Sequence, residues 1–235
     1  MKIGIIGVGA IGATLARGLA SRGHQVSIAS ARGPEKLKGL AAEVGATAVS
    51  VRDAARENEV VILSIPQNAV PALPKDLFEG VPAGVVVIET GNYYPRLRDG
   101  RIDAMESGTL DSVWVAEHLG RPVVKAFNNI YATSLKDKGA PQGTAGRIAL
   151  SVAGDPPDAR AIALRIVDEV GFDAVDAGSL SESWRQQPGT PAYCNDLDAA
   201  ALKQALAKAD SSRVADYRRE AEDFAERMMR AAATT

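Results

Sequence analysis

Short apolar runs rich in β-branched residues recur along the first part of the chain, separated by segments with helical spacing. Runs that are apolar throughout are typical of parallel strands buried on both faces. The pattern predicts eight strands, at residues 2–6, 25–29, 46–49, 59–64, 85–88, 122–126, 147–153 and 172–175. Because strands and helices alternate, we expect an α/β Rossmann-type fold with a doubly wound, mostly parallel sheet, closed by residues 172–175.

Helix starts are marked by residues that cap the backbone. Ser50 followed by Asp53 predicts one start, because a serine side chain can accept a hydrogen bond from the amide three residues on. The clearest helix has Asp155 as its predicted N-cap and Pro156 at its first position, and Gly171 ends it.

The last quarter of the chain loses the strand pattern. Helical spacing returns at residues 197–209 and 212–232. We therefore divide the chain into a nucleotide-binding domain, residues 1–178, and a C-terminal helical segment, residues 179–235. That segment is too short for an independent substrate domain, so we expect it to pack on the sheet domain or to join a second subunit in a homodimer.

Composition excludes several classes of function. The 27 basic and 29 acidic side chains give a net charge of -2, which does not favour a nucleic-acid partner. The single cysteine, Cys194, excludes an internal disulfide and a cysteine-only metal cluster, and the two histidines lack metal-ligand spacing. We predict no metal site and a reducing, cytoplasmic location.

The apolar start of the chain has two interpretations. Residues 2–20 have the length of a secretory signal. Glycines interrupt this stretch at Gly4, Gly7, Gly9 and Gly12, and such spacing suits a strand followed by a tight turn better than a continuous helix. No uninterrupted apolar stretch reaches the length of a membrane span, so we predict no membrane partner.

A glycine motif follows the first predicted strand. The pattern G-x-G-x-x-G comprises Gly7, Val8, Gly9, Ala10, Ile11 and Gly12. Between a strand and a helix, this pattern indicates a dinucleotide site, because the first glycine permits the turn, the second admits a pyrophosphate and the third lets helix and strand pack closely. The alternative is a glycine-rich turn without a ligand.

The end of the second predicted strand selects the dinucleotide. Enzymes that use NAD place a carboxylate there, whereas this chain has Ser30 and Arg32, with Lys36 beyond them and the first carboxylate only at Glu35. A guanidinium and a hydroxyl suit the 2′-phosphate of NADP(H). The alternative is that Arg32 is a solvated loop residue beside an NAD site.

Segments after the fourth, fifth and sixth strands are expected to line the nicotinamide, because ligands of doubly wound sheets lie outside the carboxyl ends of the strands. The predicted cofactor contacts are Ser64, Ile65, Pro66, Gln67, Thr90, Gly91, Asn92, Ala126 and Asn128. Asn129, Trp184, Gln187 and Tyr193 are the candidate substrate contacts. Ordinary loop chemistry is the alternative for the cofactor contacts and for Asn129. Anchoring of the C-terminal helices is the alternative for Trp184, Gln187 and Tyr193.

Five stretches together resemble the F420-dependent NADP oxidoreductase family, which includes the related NADPH-binding domains of ferric-reductase membrane proteins. They are the glycine turn, residues 30–32, residues 65–66, residues 124–128, and residues 154–155 with 176–181. The resemblance spans nearly the whole sheet domain. It implies hydride exchange between NADPH and a deazaflavin stacked against the nicotinamide, with little acid or base help.

Residues 91–95 and 184–194 depart from the family pattern, so the acceptor stays open between deazaflavin F420, a flavin and other small molecules. We carry three hypotheses: an NADPH-dependent reductase of a flat redox acceptor, an NADPH-dependent imine or carbonyl reductase, and a non-enzymatic NADPH-sensing module. No residue is predicted to be catalytic.

Overall fold

The computed structural model describes residues 1–233, and six parallel strands form its main sheet. They are β1 (Lys2–Ile6), β2 (Gln25–Ala29), β3 (Thr47–Ala48), β4 (Val60–Leu63), β5 (Val86–Glu89) and β6 (Val124–Lys125). Their order, β3-β2-β1-β4-β5-β6, is that of the doubly wound dinucleotide-binding fold. The predicted fold class is confirmed.

Two further strands stand apart from this sheet. β7 (Ala149–Val152) and β8 (Asp173–Asp176) pair in parallel as a second sheet. One antiparallel bridge joins it to β6, with N–O distances of 2.8 and 3.0 Å between Lys125 and Ala153. The prediction that residues 172–175 close the main sheet is therefore wrong. The extended backbone of β6 ends at Phe127, whose φ is 61°. The pairing between β6 and the second sheet is therefore limited to the Lys125–Ala153 bridge.

Helices cover both faces of the main sheet. They are α1 (Ala10–Ala20), α2 (Lys38–Val44), α3 (Val51–Arg56), α4 (Asp103–Glu106), α5 (Asp111–Leu119), α6 (Ala132–Asp137) and α7 (Pro157–Glu169). The Ser50 side chain accepts from the Asp53 amide at 3.1 Å, which confirms the predicted cap. The Asp155 cap is wrong, because its carboxylate accepts from the Leu180 amide at 3.0 Å and Pro156 is the N-cap of α7.

The core is split in two by the main sheet. Along β4, Val60 and Ile62 belong to one apolar cluster, and Val61 and Leu63 belong to the other. Side chains alternate along a strand, so a strand covered on both faces is apolar at every position. This arrangement leaves the carboxyl edge of the sheet as the place where polar loops meet.

The C-terminal segment packs against the sheet domain. It contains a 3₁₀ helix (Leu180–Gln186), α8 (Ala199–Lys208) and α9 (Val214–Ala233). Leu202 of α8 packs on β7 and β8, while α9 is tied by an Arg96–Glu222 ion pair of 3.2 Å. The predicted boundary at residue 178 falls between β8 and the 3₁₀ helix. Across residues 1–233, no helix combines the length and apolarity needed to cross a membrane.

Candidate functional site

The glycine turn lies between the ends of β2 and β4, the two strands that flank β1. Gly7 donates to the Ala29 carbonyl at 2.9 Å and has φ of 101°, and a Cβ added to it would lie 2.1 Å from the Ser64 carbonyl oxygen. Only glycine combines that backbone angle with that close approach. The half-buried Val8 packs against the core, which fixes the start of the turn.

The other two glycines of the motif have opposite surroundings. A Cβ on Gly12 would lie 2.0 Å from the Gly7 carbonyl oxygen, whereas a Cβ on Gly9 would meet nothing within 4 Å. The first turn of α1 contains no acidic residue and no side-chain cap. Amides at a helix start lack partners within the helix, so those of Ala10 and Ile11 can receive an anion approaching Gly9. The turn fits a pyrophosphate.

Free cations lie beside this turn at the end of β2. The Arg32 amide donates to the Ser30 hydroxyl at 3.3 Å, and the Arg32 side chain is exposed. Within residues 1–233, neither Arg32 nor Lys36 forms an ion pair with a carboxylate, and the nearby Glu35 pairs with Lys38 at 2.7 Å. A hydroxyl and two uncommitted cations are a suitable donor set for a phosphate monoester.

The ends of β4 and β5 are joined by their side chains. Thr90 Oγ1 donates to Ser64 Oγ at 3.1 Å, and Ile65 and Pro66 are partly exposed. Gln67 is fully buried, with its Nε2 3.5 Å from Glu89. Its Oε1 accepts no hydrogen bond from any residue that the structure describes. Ser64, Ile65 and Pro66 therefore reach the surface of the carboxyl edge, whereas Gln67 supports it from within.

A buried ion pair holds the loop that follows β5. Lys125 Nζ lies 3.1 Å from Glu89 Oε2 and also donates to the Gly91 carbonyl at 3.0 Å and to Ser112 Oγ at 2.9 Å. The Gly91 amide donates to Glu89 Oε1 at 2.5 Å. Both backbone groups of Gly91 are thus fixed by one pair of charges, and charge-assisted bonds of this kind are the stronger ones.

Sequence reasoning missed Glu89 and Lys125 as site residues. A signal was present in the sequence, because Glu89 and Lys125 carry opposite charges and each ends an apolar run. Parallel pairing of the two strands places these two ends side by side. Glu89 and Lys125 are register partners of β5 and β6. A charged residue at the end of an otherwise buried strand is unusual enough to indicate a partner.

Asn92 and Asn128 are joined by two hydrogen bonds. Asn92 Nδ2 donates to the Asn128 carbonyl at 2.9 Å, and Asn128 Nδ2 donates to Asn92 Oδ1 at 3.0 Å. Asn128 also exchanges bonds of 2.7 and 2.8 Å with Gln186. Its amide is thereby fully engaged, and the neighbouring Ala126 is completely buried. Asn128 therefore holds the Asn92 side chain in place. Direct contact of Ala126 and Asn128 with a cofactor stays a prediction.

Two tyrosine hydroxyls meet in front of Asn92. The oxygens of Tyr94 and Tyr193 lie 2.5 Å apart, and Asn92 Nδ2 lies 3.4 Å from the Tyr193 oxygen. Arg98 bonds to the Asn92 carbonyl oxygen, and its guanidinium carbon lies 5.6 Å from the centre of the Tyr94 ring. The candidate substrate residue Tyr193 is thus brought together with Asn92, whereas the sequence did not single out Tyr94.

A groove of about 690 Å³ opens beside the two tyrosines. We call it the aromatic groove; its large side chains are Tyr94, Tyr131, Tyr193, Phe224, Met228 and Met229. The four large hydrophobic side chains that are strongly exposed in the described part of the chain are Tyr131, Phe224, Met228 and Met229, all of them in this groove. Concentration of exposed apolar surface in one place marks a binding site rather than ordinary surface composition.

The other three candidate substrate residues are buried away from solvent. Gln187 makes no side-chain hydrogen bond within residues 1–233, and Asn129 Nδ2 donates to the Ala192 carbonyl at 3.4 Å. Arg185 stacks on the Trp184 ring at 4.4 Å and donates to the Leu206 carbonyl of α8 at 3.2 Å. The structure thus places Trp184 beside the C-terminal helices rather than among the residues that line the aromatic groove.

Burial keeps the Tyr94, Tyr193 and Cys194 side chains protonated, because it raises their pKa values. It raises the pKa of Tyr94 to about 12 and that of the Cys194 thiol to about 12, and it raises the pKa of Tyr193 well above its usual value. All three groups are therefore neutral hydrogen-bond donors near pH 7.

Comparison with known proteins gives a family match over the first part of the chain. Residues 2–93 match the family described as NADP oxidoreductase coenzyme F420-dependent. Protein YjhV of Escherichia coli is 50% identical over 66 residues, which is 28% of this chain. The match spans 48%, about half, of that curated relative.

Solved structures match over a longer part of the chain. Hypothetical protein SMa0349 of Sinorhizobium meliloti is 31% identical, with a TM-score of 0.71 over 84% of this chain and 95% of its own. A candidate F420-dependent NADP reductase from an Arthrobacter species is 20% identical, with a TM-score of 0.61 over 78% of this chain and 87% of its own. At that identity the second likeness concerns the fold.

Proposed function

This chain belongs to the family of coenzyme F420-dependent NADP oxidoreductases, and from that membership we propose that it is an NADPH-dependent reductase of a flat redox acceptor. The observation that carries the proposal is the pair of uncommitted cations, Arg32 and Lys36, beside an open glycine turn. A deazaflavin such as F420, or a flavin-like ring, is the proposed acceptor.

The proposed NADP(H) site follows the carboxyl edge of the sheet. Its pyrophosphate lies over Gly9 and the first amides of α1, and its 2′-phosphate contacts Ser30, Arg32 and Lys36. When bound, NADPH supplies a hydride from its nicotinamide. From β2 the dinucleotide extends across β1 toward the ends of β4 and β5, where neighbouring strands are about 4.8 Å apart. Ser64 and Thr90 then flank the nicotinamide.

The Glu89–Lys125 pair serves this site by fixing the Gly91 backbone, whose amide and carbonyl are both bonded to it. A hydride transfer needs its two rings held in close register, so a rigid wall contributes through orientation. Because buried charges hold the Gly91 backbone, we expect it to keep the same position with and without a ligand.

The aromatic groove is the proposed acceptor site. Its volume of about 690 Å³ lies within the range of small-molecule pockets, and tyrosine, phenylalanine and methionine side chains pack well against flat rings. It is continuous with the proposed nicotinamide side, because Tyr193 contacts Asn92 at the end of β5.

The predicted homodimer through the C-terminal helices would compete for the same face of α9. Analytical sedimentation and FMN binding, measured on the wild type and on Met228→Ser, show whether an acceptor or a second copy of the chain occupies this face. A monomer that binds FMN with reduced affinity after the substitution supports the acceptor. A dimer that this substitution dissociates would assign the face to a second copy.

A second candidate function is favoured by the Tyr94–Tyr193 pair. Two neutral phenols in an apolar groove can donate hydrogen bonds to a carbonyl oxygen or an imine nitrogen. Such donors suit an NADPH-dependent imine or carbonyl reductase, in which the atom next to the reduced carbon must gain a proton.

An assay of NADPH oxidation at 340 nm with F420, FMN, FAD and 2-methyl-1-pyrroline separates these functions. Saturable turnover of F420 or a flavin supports the first proposal, and turnover of the cyclic imine supports the second. NADPH binding without turnover of any acceptor would contradict both and favour a sensor.

A further inference from the structure

The orientation of the Asn92 amide favours one direction for the hydrogen bond between the two tyrosines. The Asn128 main-chain carbonyl can only accept, so the nitrogen of Asn92 faces it at 2.9 Å, and that same nitrogen lies 3.4 Å from the Tyr193 oxygen. Nitrogen of a side-chain amide only donates. The Tyr193 oxygen therefore accepts a hydrogen bond from Asn92. An oxygen that already accepts one bond is suited to donate its own proton, so we assign that proton to the Tyr94 oxygen, 2.5 Å away.

Tyr94 is then the end of a donor chain that leads from Asn92 through Tyr193. In this assignment its oxygen accepts from Tyr193 and its single proton can point into the aromatic groove, which both tyrosines line. A phenol that accepts one bond while offering its proton to a ligand is arranged as an acid.

Neighbouring groups decide which of the two tyrosines gives up its proton. Burial raises the pKa of Tyr94 most, the Cys194 and Tyr131 side chains raise it further, and the Tyr193 hydroxyl and the Arg98 cation oppose this rise. Arg98 is itself paired with the buried Asp99 at 2.9 Å. For Tyr193 every contribution raises the pKa, the Tyr94 hydroxyl included. Tyr94 is thus the easier of the two to ionise.

Resting on the proposed function, we propose that Tyr94 is the catalytic acid of the reduction and that Tyr193 is a positioning residue that stabilises the Tyr94 phenolate. As the C–H bond of the dihydronicotinamide breaks, its electron pair forms the new bond to hydrogen, at the acceptor carbon of a deazaflavin, an imine or a carbonyl, or at the hydride-accepting ring nitrogen of a flavin. The electrons of the acceptor's conjugated C=N or C=O bond move to nitrogen or oxygen. That atom takes the Tyr94 proton, and solvent restores the phenol.

The proposal also explains why the acid is a tyrosine. A pKa of about 12 keeps Tyr94 protonated across the physiological range. Such a weak acid gives its proton only to a strongly basic atom, and the nitrogen or oxygen of the acceptor becomes strongly basic when the hydride arrives. Proton transfer is therefore coupled to hydride transfer rather than preceding it.

Single-turnover NADPH oxidation by Tyr94→Phe, with FMN and with 2-methyl-1-pyrroline, tests the acid. We expect the rate constant to fall by about 10²-fold, the usual contribution of a general acid, with the acceptor KM changed less than threefold. Tyr193→Phe should slow the step by a smaller factor. Tyr217→Phe is the matched control, because Tyr217 is a buried tyrosine outside the groove whose hydroxyl accepts from the Asp210 amide.

A pH profile distinguishes an acid from a structural tyrosine. The wild-type rate should be flat from pH 6 to 9, whereas the residual rate of Tyr94→Phe should fall as pH rises, because hydronium must then supply the proton. NADPH affinity by calorimetry and FMN binding by fluorescence quenching should match the wild type. A Tyr94→Phe variant with the wild-type rate and pH profile would overturn the assignment of Tyr94 as the acid and leave the proposed function standing. A wild-type chain that reduces no acceptor would overturn both.

Discussion

Glu89 and Lys125 face each other across adjacent strands and hold the amide and the carbonyl of the same residue, Gly91. The side chain of Lys125 is completely buried and that of Glu89 is 2% exposed. Two charges removed from water are costly unless each is fully bonded. Here the bonds fix the backbone at the junction between the proposed nicotinamide site and the aromatic groove.

Replacing Lys125 by Met should lower the free energy of unfolding by about 3 to 5 kcal/mol, because it leaves the Glu89 carboxylate buried without a counter-charge. Urea denaturation measures the change. The double variant Glu89→Gln with Lys125→Met should recover part of the loss. Lys38→Met, which breaks the exposed pair with Glu35, should change stability by less than about 1 kcal/mol. Equal effects at Lys38 and Lys125 would contradict the role of the buried pair.

Replacing Arg32 by Ala should weaken NADPH binding by about 1.5 to 3 kcal/mol, because a charge-assisted contact with the 2′-phosphate is lost. NADH affinity should be nearly unchanged, since NADH lacks that phosphate. Arg165→Ala is the control, because Arg165 is an exposed arginine that contacts Met1 and so lies near the amino end of β1. Calorimetry with both dinucleotides measures the effect, and an equal loss for NADPH and NADH would refute the phosphate contact.

Replacing Gly9 by Ala should leave the fold intact, because the added Cβ meets no atom within 4 Å and the φ of -69° suits alanine. NADPH affinity should nevertheless fall about tenfold, which is roughly 1.4 kcal/mol, since the methyl group occupies the approach of the pyrophosphate. Gly39→Ala, on α2, also enters open space and should bind NADPH normally. Unchanged affinity of the Gly9 variant would place the pyrophosphate elsewhere.

Cys194 should react slowly with thiol reagents in the native chain. Burial raises the pKa of its thiol to about 12, and only the thiolate is nucleophilic. For an acid whose pKa is raised, the reactive fraction is small at pH 8 and grows about tenfold per pH unit as pH approaches that value. Alkylation by iodoacetamide at pH 8, with and without urea, tests this: rapid labelling of the folded chain would show an exposed thiolate.

Much of the fold is predictable from the sequence because it follows from local patterns. Apolar runs marked all eight strands, and Ser50 marked a helix start that the structure confirms. The end of the sheet was not predictable in this way, since it depends on the left-handed backbone of Phe127 and on a single bridge to Ala153. Nothing in the sequence near residue 172 reports either feature.

The candidate site was predictable only where chemistry is local. The glycine turn and the residues after β2 lie close together in sequence, so spacing alone indicates their use. The Tyr94–Tyr193 pair joins residues 99 positions apart, and Lys125 reaches Glu89 across 36 positions. Such contacts are set by the packing of loops on the sheet. Phe224 and Met228 are four residues apart on α9, so they lie on one face of the helix, and both are exposed. That apolar face was the sequence signal for the aromatic groove.

The most direct test of this account is a calorimetric titration of the wild-type chain with NADPH and with NADH. A dinucleotide site with uncommitted cations at the end of β2 predicts that NADPH binds at least tenfold more tightly than NADH. Absence of binding by both dinucleotides, or equal affinity for the two, would contradict the central claim that Arg32 holds the 2′-phosphate.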